Sequence, residues 1–135
     1  MNHALLLCTD LDRTLIPNGV HPESPQARER FRRLVDQPHV TLVFVTGRHR
    51  ELVQQGIRKY GLPMPDYVIA DAGSSIYQVE SGDWSGWQRW ELELCRSWKH
   101  TTHVDLHSLF DGLEPLQLQE LEKQNIFKLS YYLPL

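Results

Sequence analysis

Several signatures are scarce or missing in this chain, and each absence excludes something. Its 135 residues include only 2 cysteines. Cys8 sits inside an apolar run and Cys95 far along the chain, which argues against a disulfide scaffold. The first residues carry neither a basic stretch nor a small-residue cleavage site, so no signal peptide is expected and the thiols are expected reduced, in a cytoplasm. No apolar run approaches the roughly 20 residues that a membrane helix needs, so no membrane partner is expected. The 7 histidines lack HxH or HExxH spacing, which speaks against zinc. A basic field is missing too: the net charge is -3, so nucleic acid is not an expected partner. Arg28, Arg30, Arg32 and Arg33 cluster, but Glu23 and Glu29 lie among them, as on a solvated helix face. No repeat, low-complexity tract or Gly-rich phosphate loop is visible.

What is present is an ordinary globular composition, 41% apolar and 23% charged, over a length that suits one domain and part of another. Ala4 to Thr9 is a continuous apolar run, the pattern of a strand buried on both faces of a parallel sheet. After a loop with Pro17, Asn18, Gly19 and Pro22, Ser24 and Pro25 read as an N-cap and first helical residue. Ala27, Phe31, Leu34 and Val35 then form the apolar stripe of a helix ending near Asp36. Val40 to Val45 is a second strand, followed by a helix with Leu52, Val53, Gly56, Ile57 and Tyr60 on one stripe, stopped by Gly61 and Pro63. Tyr67 to Ala70 is a third strand. This alternation predicts βαβ units and a parallel, doubly wound α/β sheet.

The pattern then changes. Ser75 to Glu80 alternates ahead of Ser81-Gly82-Asp83, a hairpin signal. Trp87 to Leu113 reads as mostly helix broken near Thr101-Thr102, with Leu106, Leu109, Phe110 and Leu113 on one stripe. Pro115 to Gln124 is ambiguous, and Phe127 to Leu133 alternates as a strand. The expected division is 1–82 and 83–135.

The chemistry-bearing residues lie at strand ends. Asp10 and Asp12 leave the first strand two residues apart, and in an extended segment such side chains share a face. Two hard oxygen ligands suit Mg²⁺, and one carboxylate could attack phosphorus. Open α/β sheets bind ligands at this carboxyl end. A calcium loop needs further oxygen ligands that Arg13, Thr14 and Leu15 do not supply. Thr46 ends the second strand. Its hydroxyl, with the N–H groups of Gly47 and Arg48 at a helix start, can hold an anionic oxygen, or Thr46 can serve as an ordinary N-cap.

DLDRTL followed by VTGR resembles the haloacid dehalogenase-like phosphatase superfamily. Asp66 to Tyr77 and Ile126 to Tyr132 are similar to the branch with a type IIB cap, that of sucrose-6-phosphate phosphatases and related sugar-phosphate phosphatases. The resemblance implies the N-terminal half of such a core, with residues 83–135 beginning an α+β cap. It implies a nucleophile at Asp10 that also ligates Mg²⁺. Asp12 would be the general acid and base, its carbonyl contributing to the metal site, and Thr46 the phosphoryl-holding hydroxyl. Arg13 stands where the superfamily most often has glycine. Lys128, Ser130 and Tyr132 would share one face of the last strand, as sugar contacts or as an ordinary polar face.

Two motifs of that superfamily, a charge-balancing lysine and a later acidic segment, do not appear in these residues; Lys123 and Lys128 lie in cap-like context. In a sheet of order 3-2-1-4-5 the first strand is central, yet with three strands it becomes an edge with unpaired backbone groups, open to self-association. The expectation is therefore a truncated chain or one part of an assembly. Three readings stand: a Mg²⁺-dependent phosphatase of a small phosphorylated sugar, a phosphosugar mutase of similar fold, or an inactive fragment needing a partner or the missing remainder.

Overall fold

β-branched and leucine-rich runs become three parallel strands, β1 (Leu5–Thr9), β2 (Val40–Val45) and β3 (Tyr67–Ala70), in a computed structural model that describes residues 4–134. Two antiparallel strands, β4 (Ser75–Glu80) and β5 (Asp83–Gly86), extend the sheet in the order β1-β2-β3-β4-β5. The hairpin's second strand pairs with its first, so a boundary at 82/83 would cut the sheet. The contacts divide the chain instead into Met1–Gly86 and Trp87–Leu135. Phe44 and Val68 from the strands and Val53 from a helix are fully buried, joined by Leu11 and Ile16 from the turn after β1. Trp84 of β5 closes the far end of this core against Tyr77, ring centroids 5.8 Å apart.

β1 departs from its expected burial. Leu7 packs against the core, but Leu5, Leu6 and Cys8 are exposed, Leu6 by 63%. The reason is position: β1 lies at the sheet edge, with β2 as its one neighbour.

Two helices, α1 (Ala27–Val35) and α2 (Arg50–Tyr60), connect the parallel strands. α1 starts later than Ser24-Pro25 suggests. Gln26 takes a left-handed conformation, φ 62, and Ser24 contributes its carbonyl to the Ala27 N–H rather than a side-chain cap. The α1 arginines are structural: Arg28 pairs with Glu23 at 2.5 Å and donates to the Tyr60 carbonyl, and Arg32 donates to that of Gly61. They thus neutralise the carbonyl-rich end of α2. Gly61 ends α2 at φ 59, its N–H bonded to the Ile57 carbonyl, with open space where a Cβ would stand.

The second unit holds α3 (Gln88–Ser97) and α4 (His103–Leu109). Thr102 and Asp105 form a capping box that breaks the helical run at the expected place. Leu109, Phe110 and Leu113 are exposed rather than a packed stripe, and α4 stops before the last two. Two short strands, β6 (Gln117–Leu118) and β7 (Tyr131–Tyr132), pair antiparallel. The expected strand over 127–133 shrinks to two residues for a local reason. Asn125 and Lys128 close a turn, and the Gln124 amide bonds both the N–H and the carbonyl of Ser130, the carbonyl also accepting the Gln119 N–H. Phe127 is buried, edge-on to Trp98 at 5.7 Å.

Gly61→Ala should destabilise the first unit by about 1 kcal/mol, the cost of a Cβ in the left-handed region, whereas Gly61→Asn should cost less. Urea denaturation monitored by amide NMR signals of β2 and β3 checks this; equal stability of the alanine variant would contradict it.

Candidate active site

The β1 apolar run ends at Thr9, and the chain coils at once. The Leu11 carbonyl accepts from the N–H groups of Thr14, Leu15 and Ile16, and Ile16 returns its carbonyl to the Arg13 N–H. This tight turn puts Arg13 at φ 59, a conformation that favours glycine. The extended geometry expected through Asp12 therefore gives way after Thr9, and the two carboxylates are delivered by a coil. Asp10 stands exposed directly beyond β1, 3.4 Å from the Thr14 hydroxyl.

Asp12 is held on both oxygens. The Arg48 guanidinium meets it as a fork, Nη2 to Oδ1 at 2.6 Å and Nε to Oδ2 at 2.8 Å, and Asn18 Nδ2 donates to Oδ1 at 2.6 Å. The Arg48 hydrogen bond lowers the Asp12 pKa below the ordinary carboxylate value. The Asn18 bond and the charges of Arg48 and Arg13 add to this, against a partial burial that raises it. In return the Asp12 carboxylate, and the more distant Asp10, raise the Arg48 pKa. Both carboxylates thus act on one guanidinium. Arg48 Nη1 also donates to the Leu52 carbonyl at 3.3 Å. A Cβ on Gly56 would come within 3.3 Å of Nη1 and 3.2 Å of Ile16 Cδ1, which accounts for a glycine mid-helix, where it costs about 0.5–1 kcal/mol relative to alanine.

Thr46 follows β2 directly and is buried. The parallel register aligns Thr9 with Phe44, so Asp10 and Thr46 leave neighbouring strand ends. α2 begins at Arg50 with His49 as its cap residue, so Thr46 is no N-cap, and Gly47 and Arg48 belong to the connecting turn rather than a helix start. The Arg48 N–H is bonded to the Thr46 hydroxyl at 3.2 Å, a correction to its expected role as an anion donor. Gly47 is exposed, with open space at its Cβ position. The turn is anchored to the segment after β3: the Thr46 carbonyl accepts from Ala72 N–H and the Arg48 carbonyl from Asp71 N–H. A cavity of about 430 Å³ opens between the 13–24 loop and α1, but neither Asp10, Asp12 nor Thr46 lines it.

Among the described residues no group of three or more His, Cys, Asp or Glu side chains is placed to hold a metal. The donors at the β1 end are the Asp10 carboxylate and main-chain oxygens of the turn. Hard oxygens few in number suit Mg²⁺, which keeps several waters and takes substrate phosphate oxygens as further ligands.

The sequence brought Asp10, Asp12 and Thr46 forward; the Arg48 fork and Asn18 were missed, since Asn18 reads as a turn former and nothing local links it to Asp12. Lys128, Ser130 and Tyr132 do not line one strand face. Lys128 sits in the turn with Asn125 and Ser130 in the segment held by Gln124, and only Tyr132 lies in β7. The Tyr132 hydroxyl donates to Glu120 at 2.8 Å and accepts from Lys123.

The site thus joins a carboxylate pair after an edge strand to a hydroxyl after its parallel neighbour. The fold agrees with that of a haloacid dehalogenase-like hydrolase from Bacillus subtilis, with a TM-score of 0.59 at 14% identity, 87% of this chain and 56% of the other being covered. The family model of sucrose-6F-phosphate phosphohydrolase matches residues 3–135, and the chain belongs to that family. The sucrose-phosphatase of Synechocystis sp., solved in complex with sucrose and phosphate, superposes with a TM-score of 0.77 at 30% identity, covering 96% of this chain and 48% of its own. A HAD-like hydrolase of Nitrosococcus oceani is 49% identical over 134 residues, 99% of this chain and 36% of that protein. The chain thus spans less than half the length of these two relatives. No helix among the described residues is long and apolar enough to cross a membrane.

The β7 cluster has a measurable electrostatic signature. Glu120 is pulled down to about 2 by its own backbone N–H first, then by Lys123 and Tyr132. A depressed carboxylate favours the folded state at higher pH, and that contribution is lost as pH falls from 4.5 towards 2. In Tyr132→Phe the Glu120 midpoint, read by carboxyl ¹³C NMR, should rise yet stay below 4.5; an unmoved midpoint would show that the hydroxyl contributes nothing.

Proposed function

We propose that this chain carries the phosphoryl-transfer centre of a Mg²⁺-dependent phosphatase acting on a sugar phosphate of the sucrose-6-phosphate type. The observation that supports it is the exposed Asp10 carboxylate, placed directly beyond β1 beside the strand end that carries Thr46. Family membership and the sucrose and phosphate bound by the Synechocystis relative support the substrate class.

In this reading an Asp10 oxygen attacks phosphorus in line with the ester bond. The P–O bond to the sugar breaks, and an aspartyl-phosphate forms on Asp10. Asp12 gives its proton to the departing sugar oxygen, then takes one from the water that attacks the aspartyl-phosphate, releasing inorganic phosphate and restoring Asp10. The Thr46 hydroxyl steadies a non-bridging oxygen of the transferring group. The Asp10 carboxylate and the Asp12 main-chain carbonyl would hold Mg²⁺, which when bound would supply charge neutralisation at the phosphoryl oxygens. Lys128, Ser130 and Tyr132 remain candidate sugar contacts, from a turn, the segment held by Gln124 and β7 rather than from one strand face.

Asp10→Asn in the full chain should abolish phosphate release from sucrose-6-phosphate by more than ~10³-fold, because the residue is the covalent nucleophile. Removing Mg²⁺ with EDTA should do the same reversibly. Unchanged turnover in the Asp10 variant, or a wild type that releases no phosphate with Mg²⁺ present, would refute the phosphatase.

A further inference from the structure

We infer that Arg48 and Asn18 are positioning residues for Asp12: a guanidinium fork and an amide fix the orientation of the carboxylate that serves the leaving group. The inference rests on the phosphatase reading, in which Asp12 handles the proton.

Three observations carry it. The first is that donors take three of the four lone pairs of the Asp12 carboxylate, leaving one on Oδ2 for the proton. Oδ1 receives Arg48 Nη2 and Asn18 Nδ2, both at 2.6 Å, and Oδ2 receives Arg48 Nε at 2.8 Å. A forked pair fixes a plane as well as a distance, which a single ammonium cannot do. The second is that the fork is itself seated. Nη1 donates to the Leu52 carbonyl of α2, and the missing Cβ of Gly56 leaves the space that Nη1 and Ile16 fill. The third is that Asn18 is tied back to the same turn, its Oδ1 accepting the Arg13 N–H at 2.8 Å. Asp12 is thereby bound to a loop that follows β1 and, through Arg48 of the turn after β2, tied to α2, so its orientation does not rest on its own turn alone.

Committing the guanidinium to Asp12 and Leu52 also sets Arg48 apart from a phosphate-binding arginine. It holds the group that meets the sugar oxygen, and it stabilises the carboxylate left once the proton has gone. The consequence is selective for the first step. A sugar alkoxide needs a proton to leave, whereas p-nitrophenolate leaves without one, so loss of the clamp should slow aspartyl-phosphate formation from the first substrate and spare that step with the second.

The test compares wild type, Arg48→Lys and Asn18→Ala of the full chain, with Mg²⁺, on sucrose-6-phosphate and on p-nitrophenyl phosphate. For Arg48→Lys we expect kcat on the sugar phosphate to fall about 100-fold, and the single-turnover rate of p-nitrophenolate release from p-nitrophenyl phosphate to change by less than about threefold. Asn18→Ala should show the same selectivity with a smaller loss, about 10-fold. A retained single-turnover release of p-nitrophenolate shows that each variant is folded. Equal losses in that rate and in kcat on the sugar phosphate, or a rise in KM with kcat unchanged, would overturn the positioning role, the latter pointing to direct substrate binding. The Arg48 Nε–H resonance in ¹⁵N NMR is a readout independent of turnover. It should be protected from exchange in wild type and lose that protection in Asp12→Asn. If wild type hydrolyses neither substrate, the phosphatase reading fails by itself, and the clamp stands or falls on this resonance. Exchange as fast as that of an exposed arginine would overturn it.

Discussion

Parallel pairing of β1 with β2 is the constraint on which the site depends. The alignment of Thr9 with Phe44 sets Asp10 and Thr46 at neighbouring strand ends. Without it the Asp10 carboxylate and the Thr46 hydroxyl would belong to unrelated loops. The pairing is enforced from below by a core that includes Phe44, Leu42 and Leu7, and from above by the turn that folds on the Leu11 carbonyl. Leu11 and Ile16 are fully buried, so the turn carrying Asp12 is anchored in the same core as the strands. Chemistry at the surface thus inherits its order from apolar packing a few residues away.

Electrostatics then refines what packing positions. Asp10 and Asp12 leave the same strand, yet their environments differ. Asp10 is exposed, with a weak contact to Thr14, while Asp12 is enclosed by an amide and a guanidinium. One carboxylate is left open to a ligand and the other is held in place. That division matches the two tasks of covalent phosphoryl transfer, attack on phosphorus and proton handling at the leaving oxygen.

How much of this was legible in the sequence depended on the range of the interaction. The bounds of β2 and β3 follow from β-branched runs, and the end of α2 from Gly61, because these signals are local. Asp10, Asp12 and Thr46 were legible as residue types at strand ends. The Arg48 fork was not, because it joins two segments far apart in the chain and an arginine after a strand signals nothing about its partner. In the second unit the alternation of Phe127 to Leu133 predicted a longer strand than forms: the Asn125–Lys128 turn takes up its start, and Gln124 bonds the Ser130 N–H and shares its carbonyl with the Gln119 N–H. At β1 the composition was read correctly as apolar but its burial was not, since burial depends on what lies alongside rather than on the strand itself.

That last feature reaches into the chemistry. Asp10 is carried by the strand with the least lateral support in the sheet, and the backbone groups on its outer side can accept an extended segment. Whatever pairs there adds its binding free energy to the element that carries Asp10, so occupancy of the edge and rigidity of the Asp10 backbone are linked equilibria.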